Sequence, residues 1–198
     1  MKLPVLLLAA AALQAPLQAQ SPAGTSGQAP APAAKPAPAP SFAMTLDRQL
    51  SGIESEVVPA VEAMPAEAFD FAPTAGEFKG VKTFAQQARH IASVNVLLAA
   101  ALLEEKPAMD PGGENGPEAL KTKAEVVKYL KDSYAYLHKA YGTLTEANIL
   151  GLVKSPWGEG RGTRLSYAGI GVSHGFDHYG QIAVYLRMNG IVPPASRK

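Results

Sequence analysis

Residues 163–189 read TRLSYAGIGVSHGFDHYGQIAVYLRMN. Tyr167, Gly171, His174, His178, Gln181 and Tyr185 follow one another at steps of three or four. That is the period of one helix face. Gly190 and then Pro193-Pro194 close the stretch, as expected of a helix stop. The spacing therefore predicts one long helix whose inward face carries two imidazoles. Side chains four apart on a helix have Cβ atoms about 5–6 Å from each other, a separation at which two imidazoles can grip one divalent metal.

Three more helices are expected upstream. The first runs from about Ser41 to Ala63, with Leu46, Leu50, Ile53, Val57 and Val61 on its apolar stripe and Pro59 as a kink or early stop. The second runs from about Thr83 to Glu104, with Phe84, Ala88, Ile91, Val94 and Leu98 facing inward. The third spans about Thr122 to Ala147, on Val126, Val127, Leu130, Tyr134, Leu137, Tyr141 and Leu144. Between them, residues 64–81, 106–120 and 153–164 are rich in Pro and Gly, which break regular structure. No run shows the sustained alternation of a strand. The fold class is all-α, and an antiparallel four-helix bundle is the expected architecture.

The N-terminus has a different character. MKLPVLLLAAAALQAPLQAQ (1–20) has one charge, Lys2, then a short apolar core and small residues. It reads as a secretory signal peptide over residues 1–19, too short in its apolar region for a stable span. Residues 20–40, dominated by Ala-Pro repeats, lack the large apolar side chains a core needs and read as an extended tether. Residues 41–198 form the folded domain. A secreted or periplasmic location follows, with no membrane span in the mature chain.

The 198 residues carry a formal net charge of +1, and no Lys/Arg run is interleaved with aromatics, which argues against a nucleic-acid partner. There is no Cys, so disulfides, zinc-thiolate centres and a cysteine nucleophile are excluded.

The two inward imidazoles need polar partners, because an unpaired buried polar group costs about 1–3 kcal/mol. Hydrogen bonds to carboxylates or water would meet that need as a polar core network. A metal would meet it for both rings at once, with a further ligand from another helix. His90, in the middle of the second helix, is the natural candidate. His138 on the third is the alternative, although Lys139 and the flanking Tyr134 and Tyr141 favour an outward or interfacial place for it. The zinc-protease pattern is not met, since Gly175 stands where Glu must follow the first His. Asp177 lies off the histidine face. It reads as a solvated carboxylate, with a supporting role toward a metal ligand as the alternative. Tyr167, Tyr179 and Tyr185 read as packing residues.

His90 within QQARHIASVN, together with SHGFDHYGQIAVYLRMNGIVPP, resembles the DinB/YfiT-like family of metal-binding four-helix proteins. The loop MPAEAFDFAPTAGEFKGVKTFAQQARH is similar to that family's link between its first two helices. The resemblance covers about residues 41–196. It implies an up-and-down bundle with DinB-like connectivity, often a homodimer, and a divalent metal held by His90, His174 and His178. Three protein ligands leave a position for water or substrate, the mark of a catalytic rather than a closed structural centre. Imidazole suits several first-row ions, with zinc or nickel the leading expectation. The expected function is a metal-dependent transferase or hydrolase acting on a small molecule, with catalytic residues unassigned. A non-catalytic metal-binding or stress-associated module is the alternative. Export favours hydrolysis over the thiol-dependent transfer that the resemblance also suggests, because small thiols are scarce outside the cytoplasm.

Overall fold

A computed structural model of the protein describes residues 39–198. The expected signal peptide and nearly all of the tether lie outside the described residues. Four helices dominate: α1 (Phe42–Ala63), α2 (Phe84–Leu103), α3 (Lys123–Tyr141) and α4 (Arg164–Met188). Each begins behind a hydroxyl residue. Ser41, Thr83, Thr122 and Thr163 accept the backbone N–H groups of Met44, Gln86, Glu125 and Ser166. These caps satisfy amides that have no partner within the helix. At Thr83 and Thr122 the side chains of Gln86 and Glu125 bond back to the cap residue, completing capping boxes.

The apolar stripes pack as the spacing requires. Leu50, Ile53, Val57 and Val61 of α1, Phe84, Ala88, Ile91 and Leu98 of α2, and Leu130, Tyr134, Leu137 and Tyr141 of α3 are fully buried. Helix α1 packs on α3 and α4, and α2 packs on the same two. Of the three pairs of helices consecutive in sequence, only α2 and α3 are close partners. The links from α1 to α2 and from α3 to α4 join helices across the bundle.

Helix α4 sits deep because two of its inward positions have no side chain. A Cβ on Gly171 would lie 2.5 Å from the Tyr141 hydroxyl, and one on Gly175 would lie 2.9 Å from Ile53 Cγ1. The Tyr141 hydroxyl donates to the carbonyl of Ala168, tying α3 to α4 at this level. His174 and His178 flank Gly175 on the same helix, so this close seating fixes how far the imidazoles reach toward α2.

Two expectations are corrected, the end of α3 and the absence of strands. Helix α1 runs through Pro59 to Ala63, its expected end, without being shortened. The carbonyl that loses its partner belongs to Ser55, an exposed residue, so water can replace the missing N–H. Helix α3 ends at Tyr141, six residues before Ala147. Beyond Gly142, Thr145 and Asn148 bond each other's side chains and backbones, and Asn148 Nδ2 donates to the Thr143 carbonyl. Such local bonds compete with the helical ladder. Leu144 and Ile149 still reach the core, from a turn instead of a helix.

The loop before α4 contains a small antiparallel hairpin, β1 (Leu152–Lys154) and β2 (Arg161–Thr163), with Val153 opposite Gly162. Three-residue strands are too short to show alternation in a sequence. Val153 is buried, and Gly162 abuts the Tyr167 ring.

Candidate metal centre

His90 of α2 and His174 and His178 of α4 meet inside the bundle. One nitrogen from each lies within 4.8 Å of the others. The ring centroids are 5.0 Å apart for His90 and His174, 4.8 Å for His90 and His178, and 4.4 Å for His174 and His178. His178 is buried, and His90 and His174 are half-buried.

Two of the rings are oriented by acceptors on their far side. His90 Nδ1 is 2.6 Å from the carbonyl oxygen of Glu114, and His178 Nδ1 is 2.5 Å from Gln87 Oε1. A carbonyl oxygen only accepts, so each Nδ1 carries the proton and each Nε2 presents a lone pair. His174 Nε2 is 3.1 Å from His90 Nε2, while His174 Nδ1 is buried without a partner. A neutral His174 has two choices. Protonated at Nε2, it donates to His90 and leaves a buried bare Nδ1. Protonated at Nδ1, it buries a donor with no acceptor and sets two lone pairs face to face. A cation shared by the rings removes the conflict on the inner side, because it takes lone pairs from converging nitrogens. Zinc–imidazole bonds of about 2.0–2.1 Å set tetrahedral ligand atoms about 3.3 Å apart, close to the His90–His174 separation. The residues present therefore fit a metal ion.

Electrostatics agree. Burial, then the neighbouring His178 and His90, pushes the His174 pKa down to about 3. Burial, then His90, takes that of His178 down to about 4. Burial also lowers His90, against the opposing effect of its bond to Glu114. The nearest carboxylate, Glu114, is exposed and 3.9 Å from His90 Nδ1, and it is held by Lys82, so its pull does not outweigh burial. All three rings are neutral near pH 7, the state in which imidazole binds a metal.

The residues around the cluster form two supports. On one side Gln87 Nε2 donates to Gln181 Oε1 at 2.8 Å, and Gln181 Nε2 lies 3.5 Å from Asp177 Oδ2. This chain fixes which way the Gln87 amide points, and hence that its oxygen faces His178. On the other side, the segment between α2 and α3 folds back over His90. Lys82 Nζ holds it through Glu114 Oε1 at 2.9 Å and Asn115 Oδ1 at 3.1 Å, and Arg89 reaches the Leu120 carbonyl at 3.0 Å. Gly116, with φ +74°, lies so close to Arg89 that a Cβ would meet it at 2.6 Å. Only a residue without Cβ fits both that backbone and that contact.

His138 stands apart. It bridges α1 and α3, with Nδ1 2.5 Å from Asp47 and Nε2 2.9 Å from Glu54. The alternative third ligand is thus an interfacial residue. Asp177 is exposed and touches the cluster only through Gln181 and Gln87. Tyr167 and Tyr185 are buried packing residues, and the Tyr185 hydroxyl also donates to the Lys82 carbonyl. Sequence reasoning missed Gln87, Lys82 and Glu114. Gln87 was within reach: it lies three residues before His90, a spacing that puts both on one helix face. Glu114 contributes through its backbone, which no side-chain pattern announces.

No curated protein matches this sequence significantly. Among solved structures, the chain is similar to a DinB-like protein from Bacillus cereus, with a TM-score of 0.61 at 11% identity over 75% of this chain and 93% of that one. At that identity the likeness speaks for the fold. The profile of the DinB superfamily matches residues 49–182, a span that contains His90, His174 and His178. The chain belongs to the DinB superfamily.

Proposed function

We propose that this is an exported, divalent-metal-binding protein of the cell envelope or periplasm, in which His90, His174 and His178 hold one ion and a small molecule is transformed beside it. The supporting observation is the convergence of three neutral imidazoles, two of them locked by Glu114 and Gln87 with Nε2 turned toward the cluster. A divalent ion there, zinc or nickel before others, would supply Lewis-acid activation of an oxygen or sulfur on the small molecule. Among the described residues three ligands converge, leaving a position for that molecule. The leader-like N-terminus supports an extracytoplasmic setting, and with it hydrolysis over thiol transfer.

A second reading, a metal-binding module without catalysis, has one observation in its favour. The two carboxylates nearest the histidines are both occupied elsewhere: Glu114 pairs with Lys82, and Asp177 is exposed at the end of a glutamine chain. Neither stands ready as a general base. The readings separate on the metal-loaded protein in a screen of ester, amide and thiol-transfer substrates. Turnover that disappears in His174→Ala supports the enzyme. Stoichiometric metal with no turnover on any substrate supports the module.

A further inference from the structure

A half-open cleft of about 570 Å³ lies away from the histidines, between the C-terminal end of α2 and the β1–β2 hairpin, within the roughly 300–1,000 Å³ typical of small-molecule sites. Its floor is apolar, made by Leu97, Ala100 and Ala101. Pro107 and Pro156 stiffen the two sides. The hairpin wall is held in shape by Ser155, whose N–H bonds the Gly160 carbonyl and whose Oγ accepts from the Trp157 N–H.

The charge on the rim is lopsided once partners are assigned. Glu104 is engaged by Arg164 at 2.6 Å. Glu105 accepts from the Tyr136 hydroxyl at 2.8 Å and lies 3.7 Å from Lys139. The cations of the cleft are Lys106, Lys154 and Arg161. Among the described residues none of the three is in ion-pair distance of a carboxylate, although Glu159 lines a smaller adjoining concavity. Arg161 spends one N–H on the Leu152 carbonyl, at 2.7 Å, and keeps its charge uncompensated. The α2 terminus points carbonyls this way, which would disfavour an anion. Those of Ala100 and Ala101 are already capped by the N–H groups of Glu104 and Glu105.

We infer that this cleft is a second binding site, for a small carboxylate bearing an apolar chain or ring. The tail lies on Leu97, Ala100 and Ala101, and the carboxylate meets Lys154 and Arg161, with Lys106 opposite. An apolar floor under unpaired cations excludes cationic ligands and gives neutral ones no charge to pair. The site stands independently of the histidine cluster.

Trp157, the only tryptophan, is next to Pro156 in the hairpin wall and 51% exposed, so its fluorescence reports on the cleft. The test titrates the full chain with sodium octanoate, octanamide and octylamine. Octanoate should give a saturable change, and the other two a response at least tenfold weaker. Lys154→Glu should weaken octanoate at least tenfold. Ala101→Phe, at a half-exposed position where the ring fills the floor without entering the core, should abolish it. Both variants should keep their metal content. A response that fails to saturate, that octanamide reproduces, or that survives in Ala101→Phe would overturn the inference. So would its loss in His174→Ala, which would put the carboxylate at the histidines.

Discussion

The four histidines of this chain occupy two opposite environments. His138 lies between two carboxylates, Asp47 and Glu54, each within hydrogen-bond distance of one ring nitrogen. His90, His174 and His178 lie against one another, hydrogen-bonded on their far side to an amide oxygen and a backbone carbonyl, with no carboxylate in hydrogen-bond contact among the described residues. Burial alone would lower the His138 pKa, but its bonds to Asp47 and Glu54 outweigh burial and raise it. In the cluster burial outweighs the weaker opposing pull of Glu114 and Asp177, and the pKa values fall. The residue type is the same and the partners decide its role. Carboxylates make a histidine a cation that clamps two helices, whereas neutral acceptors make it a lone-pair donor. Among the described residues, only the second environment brings together ligand atoms that could hold a metal.

The sharpest way to break this comparison is to remove one ring from each region. His174→Ala or His178→Ala should weaken metal binding by more than about 100-fold, a larger loss than removing a supporting partner causes. His138→Ala should leave metal content unchanged, as elemental analysis of protein purified without chelators would record. Equal losses from both regions would erase the distinction.

The next effect concerns support. Gln87→Leu removes the acceptor that orients His178 and should weaken the metal by about 10–100-fold while the fold persists, read by competition with a chromophoric chelator. Gln87→Glu, which keeps an oxygen acceptor at that position, should recover most of the loss.

The third effect is on stability and carries a sign in pH. The His138 pKa is raised in the folded chain, so its clamp is fully present below the ordinary imidazole range near 6.5 and is lost as pH rises through the folded value. His138→Ala should therefore cost about 1–3 kcal/mol at pH 6, measured by urea unfolding, and progressively less at alkaline pH. The cluster has the opposite slope. Its pKa values are depressed, so its contribution is fully present above the unfolded value near 6.5 and is lost as pH falls from there through the folded values, about 4 at His178 and about 3 at His174; acid also expels a bound ion. A His138→Ala penalty that grows toward alkaline pH would contradict the assignment.

The smallest effect is at Asp177. Its carboxylate is 3.5 Å from Gln181 and exposed, at the long limit of a hydrogen bond. Asp177→Asn should change metal affinity by no more than about twofold. A tenfold loss would move Asp177 into the supporting chain proper.

Much of this was legible in the sequence because it rests on side chains at regular spacing. The helix starts coincide with Ser41, Thr83, Thr122 and Thr163, whose hydroxyls do what the sequence position implies. The stripes on α1 to α3 are buried where the helical period put them, except that Val127 is half-buried and Leu144 lies past the end of α3, and the face of α4 that carries His174 and His178 does turn inward. The pairing of that face with His90 came from resemblance, since spacing left His138 open. What escaped reading rests on backbone and on tertiary context. The Glu114 carbonyl that orients His90 has no residue-type signature. The early end of α3 comes from Thr145 and Asn148 bonding locally against a continuing apolar period. The hairpin is too short to alternate. The placement of α1 and α2 on opposite sides of the bundle has no signature in the links, because the one between the neighbours α2 and α3 is about as long.

The central claim is that three imidazoles form one ligand set. Its most direct test is a crystal structure of the zinc- or nickel-loaded protein, with the ion located by its anomalous scattering. One ion per chain is expected, bonded to Nε2 of His90 and His178 and to a nitrogen of His174, with His138 still between Asp47 and Glu54. An ion bound elsewhere, or bound without His90, would contradict it.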